Sequence, residues 1–134
     1  MRKYENYAKG LAVLEKAPGE DLRNEFVISG IVDKFMLQFE MGWKLLQQAL
    51  RYEGDTLAAT GSPRAVLKEA YRCYPFLTEN VWLEMLKERN NMAHAYDGEA
   101  AKRLAVKIID AYLPEFKRLQ EGLQRRYGEQ LKDF

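Results

Sequence analysis

The chain has 134 residues, 47% of them hydrophobic and 31% charged, which predicts one globular domain spanning residues 1–134. Its 21 basic and 20 acidic side chains nearly cancel, so any binding to nucleic acid or to a membrane surface must be local. One cysteine and one histidine exclude an internal disulfide and a structural zinc site. With no signal peptide and no bilayer-length apolar run, the sequence predicts a cytoplasmic protein without a membrane segment.

Two amphipathic helices are predicted in the first part of the chain. The first covers about residues 3–16 and ends at Ala17-Pro18-Gly19. The second covers about residues 24–53, ends at Gly54-Asp55, and is long enough to form the spine of a bundle. Its apolar stripe consists of Ile31, Phe35, Phe39, Trp43, Leu46 and Leu50.

Proline and hydroxyl residues predict where the next two helices begin. Ser62-Pro63 supplies an N-cap followed by proline at the first helical position. The third helix also carries a basic stripe, which we interpret as a solvated face: Arg64, Lys68 and Arg72. Tyr74-Pro75 ends that helix, and Thr78-Glu79 caps a fourth one that is expected to run to Asp97-Gly98.

A final amphipathic segment is predicted over about residues 99–127, with a bend at Pro114. Its apolar positions are Leu104, Ile108, Tyr112, Leu119 and Leu123. Sustained apolar and polar alternation is missing from the sequence, so no sheet is expected. The fold class predicted is all-α, an antiparallel up-and-down bundle of four to five helices.

Residues 88–97 concentrate the groups capable of chemistry around the single histidine, His94. Arg89 shares a helical stripe with the apolar residues Trp82 and Met85, which places its guanidinium in a groove or interface and demands an anionic partner. Imidazole can act as general acid or base, and guanidinium stabilises charge on a phosphate. Asn90 precedes His94 by four residues and is positioned to orient its ring along a continuous helix. The set suits phosphodiester cleavage without a metal.

Simpler interpretations of each residue remain open. On a straight helix, Arg89 and His94 point about 140° apart, so they converge only if the helix ends near His94 or the arginine reaches round. A lone histidine near a helix end is often a cap or a surface residue, and Arg89 can also bind carbonyls or a nearby glutamate. Both tryptophans, Trp43 and Trp82, are expected in the core or a dimer interface.

Taken together, Arg89-x4-His94-x-Tyr96 resembles the signature of the HEPN superfamily (higher eukaryotes and prokaryotes nucleotide-binding). The chain is most similar to the HepT-like branch, the nucleotidyltransferase substrate-binding proteins, over about residues 5–125. Three blocks carry this resemblance: Phe39-Glu40-x-x-Trp43-Lys44, Ser62-Pro63-Arg64-x-Val66, and Trp82-x-x-Met85 leading to Arg89-Asn90-x-x-Ala93-His94-x-Tyr96-Asp97. Alanines occupy positions 93 and 95, where the branch often has hydroxyl residues.

The resemblance implies a homodimer in which two Arg89–His94 pairs face each other across a cleft. It also implies a toxin–antitoxin pair: a metal-independent ribonuclease toxin without cofactors, and a minimal nucleotidyltransferase, encoded nearby, that neutralises it by binding and by adenylylating Tyr96. Catalysis would then rest on Arg89, His94 and Asn90, with RNA as substrate. Two alternatives stay open: a non-catalytic subunit that presents a substrate or Tyr96 to the nucleotidyltransferase, and a dimeric helical scaffold without chemistry.

Overall fold

The structure, a computed structural model, describes residues 2–56, 60–91 and 97–134, and its regular elements are all helical. Six α-helices occur in these ranges: α1 (Lys3–Leu14), α2 (Glu25–Tyr52), α3 (Pro63–Cys73), α4 (Glu79–Asn90), α5 (Gly98–Lys107) and α6 (Leu113–Tyr127). A wide π-helical turn, Ile108–Tyr112, joins α5 to α6, and short 3-10 turns cover Ala17–Gly19 and Gly128–Asp133. These described ranges contain no strand, which confirms the all-α prediction. None of their helices has both the length and the apolar character needed to cross a bilayer.

Side-chain caps fix the starts of α2, α3 and α5. Asn24 Oδ1 accepts a hydrogen bond from the backbone N–H of Phe26 at 2.9 Å, at the start of α2. Ser62 Oγ accepts one from the N–H of Ala65 at 3.2 Å, as the Ser62-Pro63 pattern predicted. The expected side-chain cap at Thr78 is wrong, although α4 does begin at Glu79. The hydroxyl of Thr78 instead accepts a hydrogen bond from Arg118 Nη1.

Helix α2 lies at the centre of the bundle and packs against α1, α3, α4 and α5. Five members of its predicted stripe are buried, but Trp43 is only partly buried. Three successive four-residue steps from Ile31 to Trp43 accumulate about 120° of rotation on a straight α-helix, so Trp43 no longer lies on the core face. Gly42 and Leu45 face the core instead. A Cβ on Gly42 would come within 3.0 Å of the Trp82 ring, so the glycine allows Trp82 to pack closely.

The C-terminal segment departs from a simple bend at Pro114. Proline has no N–H to donate and its ring clashes with the carbonyl one turn earlier, here that of Asp110. The chain widens before the proline: the N–H of Leu113 bonds to the oxygen of Ile108, five residues back. The wider turn also keeps two residues at four-residue spacing, Ile108 and Tyr112, in the core.

Helix α4 ends at Asn90, earlier than the expected end at Asp97-Gly98. Asn91 adopts extended backbone angles, φ −92° and ψ 97°, because asparagine side chains compete with the helix for backbone hydrogen bonds. Asp97 does not end α4 but caps α5, where its Oδ1 accepts from the N–H groups of Glu99 and Ala100. Asn90 is therefore the last residue of α4, and His94, whose ring it was predicted to orient, lies outside the described residues.

Candidate functional site

Arg89 lies in the last turn of α4 and forms an ion pair with Glu40, on α2. Its Nη2 is 2.6 Å from Glu40 Oε1, and the two side chains are 31% and 28% exposed. The other oxygen of the same carboxylate, Oε2, accepts a hydrogen bond from Trp43 Nε1 at 3.0 Å. Arg89 is thus half-buried beside an anion, as its place on the Trp82 stripe predicted.

Asn90 also contacts the guanidinium. Its Oδ1 accepts a hydrogen bond from Arg89 Nη1 at 3.1 Å. Glu40 and Asn90 therefore hold two different nitrogens of the same arginine. This arrangement fixes the orientation of a cation whose long side chain would otherwise sample many rotamers. In the structure the described partner of Asn90 is Arg89, whereas the sequence predicted that Asn90 would orient His94.

A groove of about 720 Å³ lies between the start of α3 and one face of α4. Its lining runs from Asn80 to Asn90, which corresponds to about 15 Å along α4. The polar residues of the lining are Ser62, Arg64, Asn80, Glu84, Lys87, Arg89 and Asn90. Arg89 and Asn90 thus lie at the C-terminal end of the groove, where α4 stops.

Once the ion pairs of its lining residues are taken into account, the groove has an excess of positive charge. Lys107 Nζ lies 2.8 Å from Glu84 Oε1 and, by this hydrogen bond, holds the pKa of Glu84 below its usual value. The one acidic side chain of the described lining is therefore ionised, and its charge is compensated mainly by Lys107, outside the lining, with a smaller contribution from Lys87. Neither Arg64 nor Lys87 is in an ion pair with another described residue. Both are exposed, so their charges face the groove and solvent.

Residues 2–125 match the sequence model of a family described as nucleotidyltransferase substrate binding protein like. The chain belongs to this family. The match covers α1 to α5 and most of α6, and it confirms the resemblance drawn from the three sequence blocks. No functionally curated protein matches the chain.

The three blocks that carried the family resemblance meet at this groove. The first block supplies Glu40 and the third supplies its partner Arg89. The second block, Ser62-Pro63-Arg64, lines the groove opposite α4. Residues far apart in the sequence are therefore brought to one place by the packing of α3 and α4 against α2.

A buried carboxylate that sequence reasoning missed, Glu115, positions α4. Only 3% of Glu115 is exposed, and its Oε2 accepts hydrogen bonds from the backbone N–H of Thr78 at 2.7 Å and from Trp82 Nε1 at 3.0 Å. These bonds tie the first turn of α4 to α6. The available signal was its spacing: Glu115 lies three residues after Tyr112 and four before Leu119, on the apolar stripe.

His94 and Tyr96, predicted as general acid or base and as the adenylylation site, lie outside the described residues. They belong to the segment that follows Asn91 directly, next to the end of α4 at which Arg89 is held. Their roles stay predictions.

Among described residues, one group could supply three metal ligands: Asp55, Glu69 and Cys73, whose ligand atoms lie within 4.8 Å of one another. Burial, followed by the two neighbouring carboxylates, raises the pKa of the Cys73 thiol. Groups of acidic side chains at this distance are common without a metal, so we assign no metal centre to this group.

Proposed function

We propose that this chain is the toxin of a HEPN and minimal nucleotidyltransferase pair, a cytoplasmic homodimer that cleaves RNA without a metal. The observation that supports it is the setting of Arg89: a half-buried cation, oriented by Glu40 and Asn90, at the end of a cationic groove. The only histidine of the chain follows within five residues. A family match to nucleotidyltransferase substrate-binding proteins supports the identity of the partner.

In the proposed reaction, RNA supplies its own nucleophile. A base, His94, removes the proton of the ribose 2′-hydroxyl, whose oxygen attacks the adjacent phosphorus. The bond from phosphorus to the 5′-oxygen breaks, and an acid, His94 of the second protomer, protonates that leaving oxygen. Arg89 stabilises the additional negative charge on the phosphate in the transition state. The products are a 2′,3′-cyclic phosphate and a 5′-hydroxyl.

Adenylylation of Tyr96 provides the proposed off switch. The partner would transfer an adenylyl group from ATP to the tyrosine oxygen and release pyrophosphate. The attached phosphate adds negative charge and bulk two residues from His94, where the RNA phosphate must bind. Inhibition then follows from repulsion of the substrate and from blocked access.

A second candidate function is a non-catalytic subunit that presents a substrate, or Tyr96 itself, to a nucleotidyltransferase. The observation that favours it is that Glu40 already compensates the charge of Arg89. A guanidinium with a carboxylate partner can serve to shape a binding surface as well as to bind a phosphate. The family description, substrate binding, agrees with this function as well.

Cleavage assays separate these two functions. The purified protein is incubated with tRNA and mRNA in the presence of EDTA, beside His94→Ala and Arg89→Ala variants. The toxin predicts cleavage to cyclic phosphate ends by the wild type and loss in both variants. Identical cleavage by all three proteins would eliminate the proposed ribonuclease. If the wild type is inactive but gains adenylyl mass with ATP and the partner, and Tyr96→Phe does not, the binding subunit is supported.

A further inference from the structure

The basic residues on α3 were predicted to be a solvated face, but the structure connects the first of them to the groove. Arg64 lines the groove opposite α4, and Lys87 lines it from α4. Lys68 lies one turn beyond Arg64 on the same face of α3, in a second depression that also includes Arg72. Arg72 is 3.9 Å from Glu69, so part of its charge is compensated locally.

The spacing of Arg64 and Lys68 resembles that of the charges along a ligand with repeating phosphates. Arg64 and Lys68 are separated by about 6 Å along the axis of α3, since a helix rises about 1.5 Å per residue. Such a spacing suits neighbouring phosphates of an extended strand. Because the net charge of the protein is only +1, this local excess is not a consequence of overall basicity.

The groove also has apolar lining, provided by Pro63, Leu83 and Leu86. Riboses and unpaired bases can pack on such residues while phosphates face the cations. Its volume of about 720 Å³ falls within the ~300–1,000 Å³ typical of pockets for drug-sized ligands. A groove of this volume can hold a short piece of single strand, whose unpaired bases can reach the apolar residues.

We infer that Lys87, Arg64 and Lys68 form a phosphate track that binds single-stranded RNA beside the phosphate held by Arg89. This inference rests on the proposed function and specifies the substrate as an extended, unpaired strand. The track supplies binding, whereas Arg89 and His94 supply the chemistry. Binding and cleavage can therefore be measured separately.

A non-cleavable strand tests the track without depending on catalysis. Fluorescence anisotropy with a labelled 2′-O-methyl oligonucleotide, titrated at several salt concentrations, compares the wild type with Arg64→Gln/Lys68→Gln/Lys87→Gln. A matched control, Lys117→Gln/Arg125→Gln/Lys132→Gln, removes the same charge from exposed positions elsewhere. All six side chains are exposed, so both variants are expected to keep the wild-type melting temperature.

We expect the track variant to bind about tenfold or more weakly at moderate salt and the control to change less than twofold. The slope of log affinity against log salt should become shallower by about 0.7 for each phosphate that is no longer neutralised by a basic side chain. Equal binding by the two variants, or no binding by the wild type, would overturn the track. Loss of binding to the nucleotidyltransferase with unchanged RNA binding would overturn it in favour of a protein-docking surface.

The two proposals fail in different ways. If the wild type binds the 2′-O-methyl strand through the track but does not cleave unmodified RNA, the proposed ribonuclease fails and the track stands. If cleavage depends on His94 but the track variant retains the wild-type KM, the track fails and the ribonuclease stands.

Discussion

Glu40 and Arg89 join the middle of α2 to the last turn of α4, and one carboxylate serves both the guanidinium and the indole of Trp43. The orientation of Arg89 is thus fixed by the fold before any ligand arrives. Preorganised charge of this kind is favourable for catalysis, because no rearrangement is needed as charge develops on the substrate.

Removing the charge of Glu40 should impair the site more than the fold. In Glu40→Gln, the amide oxygen can still accept one hydrogen bond, but the ion pair with Arg89 is removed. We expect the free energy of unfolding to fall by about 1 kcal/mol. Under the proposed function, we expect kcat for RNA cleavage to fall about tenfold with a smaller change in KM, because a mobile guanidinium still attracts phosphate but is misplaced in the transition state.

Asp33→Asn removes a carboxylate from an exposed position of the same helix and is the matched control for Glu40→Gln. It should leave both the melting temperature and kcat unchanged. If Glu40→Gln cleaves RNA as fast as the wild type, the positioning role of Glu40 is wrong.

Glu115 should be among the most sensitive positions for stability. Glu115→Ala leaves the buried N–H of Trp82 and the backbone N–H of Thr78 without their acceptor. We expect a loss of about 3 kcal/mol, measured by urea denaturation, since buried donors without partners are costly. Glu115→Gln keeps an acceptor and should lose less. Glu121→Ala, at an exposed position of α6, should change stability by less than about 0.5 kcal/mol. A similar loss in both alanine variants would show that the hydrogen bonds of Glu115 do not hold α4 against α6.

Replacing two helical glycines by alanine should change the stability of the fold in opposite directions. A Cβ on Gly122, in α6, would collide with the ring of Phe76, whereas a Cβ on Gly30, in α2, meets no atom within 4 Å. Gly122→Ala is expected to destabilise the fold by about 1–3 kcal/mol through overpacking. Gly30→Ala should stabilise it by about 0.5–1 kcal/mol through helix propensity. Thermal unfolding of the pair checks both values, and equal melting temperatures would show that α6 packs differently.

Cys73 should react slowly with alkylating reagents at neutral pH. Burial, and then the charges of Glu69 and Asp55, raise the pKa of its thiol. Only the thiolate reacts, so the rate with iodoacetamide should reach half its maximum at a pH above the roughly 8.5 of a free cysteine. Urea-unfolded protein should show the ordinary midpoint. In Glu69→Gln a negative neighbour is removed, the thiolate is favoured, and the midpoint should move down; identical midpoints for folded and unfolded protein would refute this account.

Local signals allowed the helices and their starts to be predicted. Ser62-Pro63 specifies the start of α3 through contacts within one turn, so the sequence suffices there. The end of α4 was misjudged because Asp97-Gly98 is the stronger stop signal in the sequence, while the two asparagines that end the helix carry a weaker one. Trp43 was expected in the core or in a dimer interface; it is partly buried, because the small rotations of successive four-residue steps turn it away from the core face.

The candidate site was predictable in part. The spacing of Arg89 from Trp82 and Met85 predicted a half-buried cation with an anionic partner, but not that the partner is Glu40, because that contact depends on how α4 packs on α2. The groove likewise requires the relative positions of α3 and α4. Glu115 was missed since an acid in an apolar stripe reveals its role only when its donors, Thr78 and Trp82, are located.

The wide turn at Ile108–Tyr112 has the effect of one residue inserted into an otherwise continuous helix. Each residue adds about 100° of rotation, so shortening this segment by one residue would turn α6 by that amount relative to α5. Glu115 would then point away from Thr78 and Trp82, and the start of α4 would lose its attachment. The number of residues between Lys107 and Leu113 therefore sets the rotation of α6 relative to α5. Through Glu115 and α4, this rotation determines where Arg89 lies.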